Sequence, residues 1–315
     1  MRVLVVGLGA LGTVYACLLR EQGHEVWGSD REDIVQAVKK DGLQVSGIWG
    51  DHSGLIDGVV EKLQGLKDGT FDLVVVTVKS FHTAEVMQLL QPLLAAGGYV
   101  ILAQNGYGNY ETAIEHIPEE KVILARVIFG AETLAPGKSK VTVIADDVLL
   151  GSPRHLIDMA NLEELARVFY DAGIPTRASD EIMKYVWGKI IYNSALNPLG
   201  AIQEVSYGKL ALNPESRMIM EDIIQEIFAV MDARQISTLW PDAAAYIKDF
   251  YEKLIPLTAG HHSSMLQDIQ MGRKTEIDYL NGAVCKLGRE SGIATPANEM
   301  MLNLINNKEA LYLKP

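Results

Sequence analysis

The chain has little with which to staple itself together or to cross a bilayer. Its only cysteines are Cys17 and Cys285. They stand far apart without metal or redox spacing, which argues against a disulfide framework or a thiolate metal site. Both read as core thiols in a reducing cytoplasm. No apolar run is long enough to span a membrane. Cations are scarce: 28 Lys and Arg against 40 Asp and Glu give a formal net charge of -12. Nucleic-acid and anionic-membrane surfaces need clustered Lys and Arg, so this balance argues against both. An anionic cofactor remains allowed, because local N–H groups and a few cations suffice to hold one. His261-His262 stand next to each other, and adjacent histidines do not easily share an ion. No Cys or carboxylate pattern completes a set, so no metal is expected.

What the sequence does have is concentrated at its start. Val3-Leu4-Val5-Val6 is a short β-branched run, and Gly7-Leu8-Gly9-Ala10-Leu11-Gly12 follows at once. Thr13 to Glu21 then reads as a helix. Strand, glycine turn and helix start come in the order that holds a dinucleotide pyrophosphate. Gly7 permits the turn, Gly9 lets the backbone approach the phosphates, and Gly12 lets the helix pack on the strand. The helix N-terminus offers N–H groups and a positive dipole end. A glycine-rich turn of some other α/β protein is the bland alternative. A second apolar segment at βαβ spacing, His24 to Arg31, favours the nucleotide reading. Met1-Arg2 and the apolar stretch ending at Tyr15-Ala16-Cys17 resemble a lipoprotein signal. Cleavage there would remove the phosphate turn, so that reading is rejected.

The first half alternates strand and helix. Phe71 to Val78 and Gly98 to Ala103 read as buried strands; Val122 to Ala125 and Val141 to Ile144 read as further ones. Ile174-Pro175-Thr176 suits a short edge strand. After Ser179 the texture becomes helical: Glu181 to Ala201, Pro214 to Gln235, Asp242 to Leu254, Glu276 to Ser291 and Pro296 to Asn307. The expected fold class is α/β, a Rossmann-type dinucleotide-binding domain over 1–178 with a second, all-helical C-terminal domain over 179–315. Ligands favour domain interfaces and carboxyl ends of strands, so the cleft between the two is the expected active site.

Lys189, Asn193 and Asn197 recur every four residues and would share one helix face. Val186, Ile190, Ile191, Leu196 and Leu199 should pack the other side, and Pro198 is expected to kink or end the helix. An ammonium and two amides suit a small polar substrate. The lysine can protonate a carbonyl oxygen as hydride arrives at the carbon, and partial burial would lower its pKa. A solvated polar stripe is the alternative, though Asn is a mediocre helix former. Ser263 to Asp268 and Thr275 to Gly282 form a second polar cluster. There Thr275 capping a helix opened by Glu276 is as good a reading as a site. Lys79 and Asn105-Gly106 follow strands and sit where ligands bind, although Asn-Gly is also an ordinary turn.

These residues together resemble the 2-dehydropantoate 2-reductases, or ketopantoate reductases, over nearly the whole chain. Residues 7–12 look like the family's phosphate turn. Val76-Thr77-Val78-Lys79 and Gln104-Asn105-Gly106 look like its cofactor-side loops. Lys189-x-x-x-Asn193-x-x-x-Asn197-Pro198-Leu199 resembles its catalytic helix, and the two C-terminal blocks resemble its signature. The resemblance implies NADPH-dependent reduction of 2-dehydropantoate to pantoate in pantothenate biosynthesis. It implies that Lys189 is the general acid and that Asn193, Asn197 and Ser264 hold the substrate. Asn105 would meet both substrate and cofactor, and Glu276 would position both. Gly7, Leu8, Gly9, Ala10, Leu11, Gly12, Arg31, Lys79 and, from a less well matched loop, Ala131 would hold the cofactor. Two positions depart from the family. Asp30, where a small or apolar residue is usual, favours NAD, whereas Arg31 favours NADP. With Asp30 turned outward, Arg31 would stack over the adenine. Because Arg31 and Lys79 both match the family, NADP is the expected cofactor, with NAD left open by Asp30. His261 replaces a frequent Asn and leaves the carboxylate pocket's fine shape open.

Two other readings remain open. A related dehydrogenase acting on another small 2-keto or hydroxy acid keeps the chemistry, although a sugar phosphate would ask for more Arg and Lys. A non-enzymatic redox sensor would have no use for the lysine–amide face. The expected partner is a small-molecule substrate, the expected compartment the cytoplasm, and a homodimer is left open.

Overall fold

The computed structural model describes residues 1–312. The last three residues of the expected second domain, 313–315, lie outside them. Two compact units form: Met1–Gln104 with Asn109–Ile182, and Asn105–Gly108 with the chain from Met183 onward.

The first unit is built on strands β1 (Arg2–Val6), β2 (Glu25–Ser29), β3 (Leu43–Gly47), β4 (His52–Gly54), β5 (Gly58–Val60), β6 (Phe71–Val76), β7 (Leu94–Leu102), β8 (Val122–Arg126), β9 (Phe129–Ala135), β10 (Lys138–Ile144), β11 (Val148–Gly151) and β12 (Thr176–Ala178). Its helices are α1 (Ala10–Glu21), α2 (Glu32–Asp41), α3 (Thr83–Leu90), α4 (Asn109–Ile114) and α5 (Met159–Asp171). An eight-stranded sheet runs β12-β11-β8-β7-β6-β1-β2-β5. Its pairs are parallel except β11 against β8. β12 is an edge strand, as expected for this region, but it begins at Thr176, after Pro175. The order reverses at β1, flanked by β2 and β6, and that reversal opens a crevice for ligands at the strands' carboxyl ends.

Val141 to Ile144 is a strand, as expected, but it lies outside this sheet. It belongs to a separate four-stranded sheet, β4-β3-β10-β9. The half-exposed alternation of Lys138 to Ile144 fits a sheet with one solvated face. Helix α1 lies against both sheets, which explains its composition. Every residue from Gly12 to Leu19 is buried, as expected for a helix apolar all round. Tyr15 meets Phe129 of β9 and Phe169 of α5 edge-on, at 6.0 and 5.6 Å. Cys17, on the same helix, is buried, and desolvation with the nearby Glu21 pushes its thiol up to about 12. Cys285 is also buried and its thiol is raised by desolvation. Such thiols pack rather than react.

The second unit is helical: α6 (Ile182–Gln203), α7 (Tyr207–Leu212), α8 (Pro214–Ala233), α9 (Ala243–Asp249), α10 (Ile255–Leu257), α11 (Ser264–Gln270), α12 (Asn281–Ser291) and α13 (Pro296–Tyr312). A π-helical stretch, Phe250–Leu254, joins α9 to α10. Trp187, Ile190, Ile191, Leu196 and Leu199 of α6 pack with Ile223, Ile227 and Met231 of α8. A smaller cluster joins Ala201, Met265, Leu266, Ile269, Ile277, Leu280 and Ile305.

Pro198 does not end α6, which continues to Gln203. Proline removes the N–H that would bond the carbonyl four residues back, that of Ser194. Asn281 supplies the missing donor: its Nδ2 reaches Ser194 O at 3.1 Å and Asn298 Oδ1 at 3.0 Å. Asn298 in turn donates its backbone N and Nδ2 to Glu226 Oε2, at 3.0 and 2.8 Å. Ala297 N donates to Glu226 Oε1 at 2.7 Å. The Glu226 carboxylate thus caps α13 where the helix dipole favours it. Asn281→Leu should lower stability by about 2 kcal/mol, because a buried carbonyl loses its partner. A urea midpoint equal to wild type would show that the helix passes Pro198 without this support.

Candidate active site

In the first unit the glycine turn has the shape of an anion cradle. Gly7 N donates to Ser29 O at 2.8 Å, tying the turn to the end of β2. A Cβ on Gly12 would lie 1.7 Å from Gly7 O, so only glycine lets the helix start sit this close to the strand. Gly9 is the opposite case: nothing lies within 4 Å of where its Cβ would project. That open space, at an exposed residue, is what an approaching phosphate needs. Gly9 is the N-cap of α1 without a side-chain cap, and no acid stands in the helix's first turn. The N–H groups and dipole there remain available to an anion. These features fit a dinucleotide.

The other residues expected at the cofactor are placed as follows. Leu8 is buried, while Ala10 and Leu11 are half-buried at the helix start. Arg31 is the N-cap of α2, with a side chain 70% exposed. Lys79 follows β6 and precedes a short 3-10 turn, Ser80–His82. Ala131 lies on β9 in the smaller sheet, partly buried against the core.

In the second unit a small pocket is lined by Asn105, Asn197, Ser264, Met265, Asp268, Glu276 and Leu280. Four of the expected substrate residues, widely separated in sequence, therefore meet. Lys189 and Asn193, half-buried on α6, are not among its lining residues. Asp268, Met265 and Leu280 line the pocket without having been singled out as site residues. The signal for Asp268 was its spacing: it stands four residues after Ser264 on α11, and so on one face.

Each wall is held by local chemistry. Asn197 Oδ1 accepts from Tyr207 Oη at 2.6 Å. Burial raises the Tyr207 hydroxyl far above its usual range, so it stays a proton donor. The amide is therefore oriented, with Nδ2 as its remaining donor end. Ser263 Oγ donates to Asn197 O at 3.2 Å and accepts from Leu266 N at 3.0 Å. Ser263 thus caps α11 and ties it to α6, and its neighbour Ser264 opens the helix at the pocket. Asn105 is carried in by Tyr107 N, which donates to Tyr279 O at 2.8 Å. Gly106 between them has φ +88°, and a Cβ there would lie 2.5 Å from Tyr279 O.

Glu276 does not open a helix. It precedes a 3-10 turn, Ile277–Tyr279, and α12 starts only at Asn281. The buried Thr275 N donates to Glu309 Oε1 at 2.7 Å, and Thr275 Oγ1 accepts from Ile277 N at 3.3 Å. This clamp holds Glu276 at the pocket. Among the described residues no group of His, Cys, Asp and Glu is suited to a metal ion, and no helix is long and apolar enough to cross a membrane.

A family model described as Ketopantoate reductase PanE/ApbA matches residues 3–154, and its C-terminal counterpart matches residues 181–309. The chain belongs to the ketopantoate reductase family. This is a family of NADPH-dependent oxidoreductases with a Rossmann-like α/β domain followed by a helical one. A 2-dehydropantoate 2-reductase of Aquifex aeolicus is 44% identical, covering 100% of this chain and 99% of that protein. A D-mandelate dehydrogenase, solved with NADH and anilino(oxo)acetate, is 26% identical at a TM-score of 0.90, covering 100% of both chains. A 2-dehydropantoate 2-reductase from Geobacter metallireducens GS-15 is 29% identical at a TM-score of 0.87, covering 98% of this chain and 99% of that one.

Proposed function

We propose that the protein reduces 2-dehydropantoate to pantoate, as a cytoplasmic enzyme of pantothenate biosynthesis. The observation that carries this reading is the small polar pocket of Asn105, Asn197, Ser264 and Glu276, in a chain whose relatives bear that activity in their names. A nicotinamide dinucleotide, when bound on the glycine turn, supplies the hydride. Lys189 is the general acid that protonates the ketone oxygen as it gains charge. Asn197, with its amide oriented by Tyr207, offers Nδ2 to the substrate's oxygens. Ser264 and Asn193 bind its hydroxyl and carboxylate, and Asn105 and Glu276 position it. The amides and the hydroxyl, set beside the Asp268 and Glu276 carboxylates, can satisfy the polar atoms of a small keto acid, and the pocket, among the described residues, lacks the cations a sugar phosphate would ask for.

The test is spectrophotometric. Purified protein is mixed with NADPH or NADH, and the loss of reduced-nicotinamide absorbance is followed with 2-dehydropantoate or an aromatic 2-keto acid. The expected result is rapid oxidation with 2-dehydropantoate and a much lower kcat/KM with the aromatic acid. The reverse preference would move the substrate toward that of the mandelate dehydrogenase neighbour. No oxidation with any keto acid would leave a dinucleotide-binding protein without this chemistry.

A further inference from the structure

We infer that Asp30 sets the dinucleotide preference, so that this chain takes NADH over NADPH against the habit of its family. The inference rests on the glycine turn holding a dinucleotide. Asp30 follows the last residue of β2, where the adenosine ribose belongs in this fold. Its carboxylate does not swing away. Oδ2 accepts from Leu8 N, inside the glycine turn, at 2.5 Å, and Oδ1 accepts from Arg31 N at 2.7 Å. Two backbone donors from different segments hold the group, and its side chain is only 17% exposed. A fixed carboxylate here accepts from the ribose hydroxyls of NADH. A 2′-phosphate would bring about two further negative charges beside it.

Arg31 does not cancel this. Its side chain is 70% exposed, and it is shared: Nε lies 3.9 Å from Asp30 Oδ1 and one terminal nitrogen 3.7 Å from Asp33 Oδ2. An exposed cation is screened by solvent, and here two acids already attend it. Glu32 and Asp33 also stand in the first turn of α2, where they offset the dipole that would otherwise draw a phosphate. Residues 30–33 are Asp-Arg-Glu-Asp, three acids against one base.

The test is calorimetric titration of the full chain with NAD⁺ and NADP⁺, without a keto acid. NAD⁺ should bind about tenfold more tightly or better. The gap should narrow as salt is raised, because it comes from repulsion. Asp30→Asn keeps an acceptor for Leu8 N and removes the charge; it should close the gap by about tenfold, mainly through tighter NADP⁺ binding. Wild-type protein that binds NADP⁺ more tightly, or a gap that widens with salt, overturns the inference and leaves the glycine turn's role intact. Binding of neither dinucleotide removes both. If Asp30→Asn does not fold, the wild-type ratio and its salt dependence decide alone.

Discussion

Lys189→Ala should lower kcat by about 10²–10⁴-fold while dinucleotide affinity stays at the wild-type value. Hydride arriving at a ketone carbon leaves charge on the oxygen, and that oxygen needs a proton donor in place as the charge develops. Among the other proposed substrate ligands, the amides and the hydroxyl have no readily given proton. Lys189 stands eight residues before Asn197 on an α6 that runs without a break through both, so the helix fixes their relative placement. Lys189→Arg should rescue little. The guanidinium keeps the charge, but it does not give up a proton in this pH range. Single-turnover rates at saturating dinucleotide, set beside dinucleotide titrations, separate chemistry from binding. Turnover equal to wild type in the alanine variant would end the assignment; equal loss of turnover and of dinucleotide affinity would point to a folding defect.

The glycine elbow was legible because its constraints are local. A β-branched run, glycines at fixed offsets and an apolar helix start all lie within neighbouring residues, and the structure places them as the sequence implied. Helix α6 was legible for the same reason, apart from its passage through Pro198. Nothing near Pro198 in sequence shows that Asn281 serves the carbonyl that the proline strands. The smaller sheet was missed because β3 and β4 are short and partly exposed, and β3, paired with β4, completes the sheet only through β10, far along the chain. Thr275 and Glu276 carried a helix-capping pattern, yet the buried Glu309 takes the Thr275 N–H from far along the chain. The same logic governs Asn105. Its sequence neighbours read as the end of a strand, but Tyr107 and Tyr279 tie its turn to the helical unit. Asp30 shows the limit most clearly: the residue type raised the cofactor question, and only its bond to Leu8 N reveals which way the carboxylate faces.

Gly9→Ala and Gly12→Ala should fail in different ways, although each adds the same methyl group to the same turn. At Gly12 the new carbon would lie 1.7 Å from Gly7 O, 2.6 Å from Thr77 Oγ1 and 2.8 Å from Gly7 C. Two of these are backbone atoms, and Thr77 Oγ1 donates to Gly7 O at 2.5 Å, so no side-chain rotation relieves the clash. Helix and strand must separate inside the core, at a cost of about 3 kcal/mol and a fall in Tm of roughly 6–12 °C. Gly9 has φ -71°, a value alanine adopts freely, and nothing lies within 4 Å of its Cβ direction. Gly9→Ala should therefore melt within a degree or two of wild type, since strain-free exposed changes stay within about 0.5 kcal/mol. Its methyl instead fills the space a phosphate must enter, so dinucleotide affinity should drop by about tenfold or more. Thermal melts without ligand and calorimetric titrations with NAD⁺ and NADP⁺ read the two effects separately. Full affinity in Gly9→Ala would mean that the phosphates do not approach this turn. Unchanged melting in Gly12→Ala would mean that helix and strand are not in the close contact that defines the elbow.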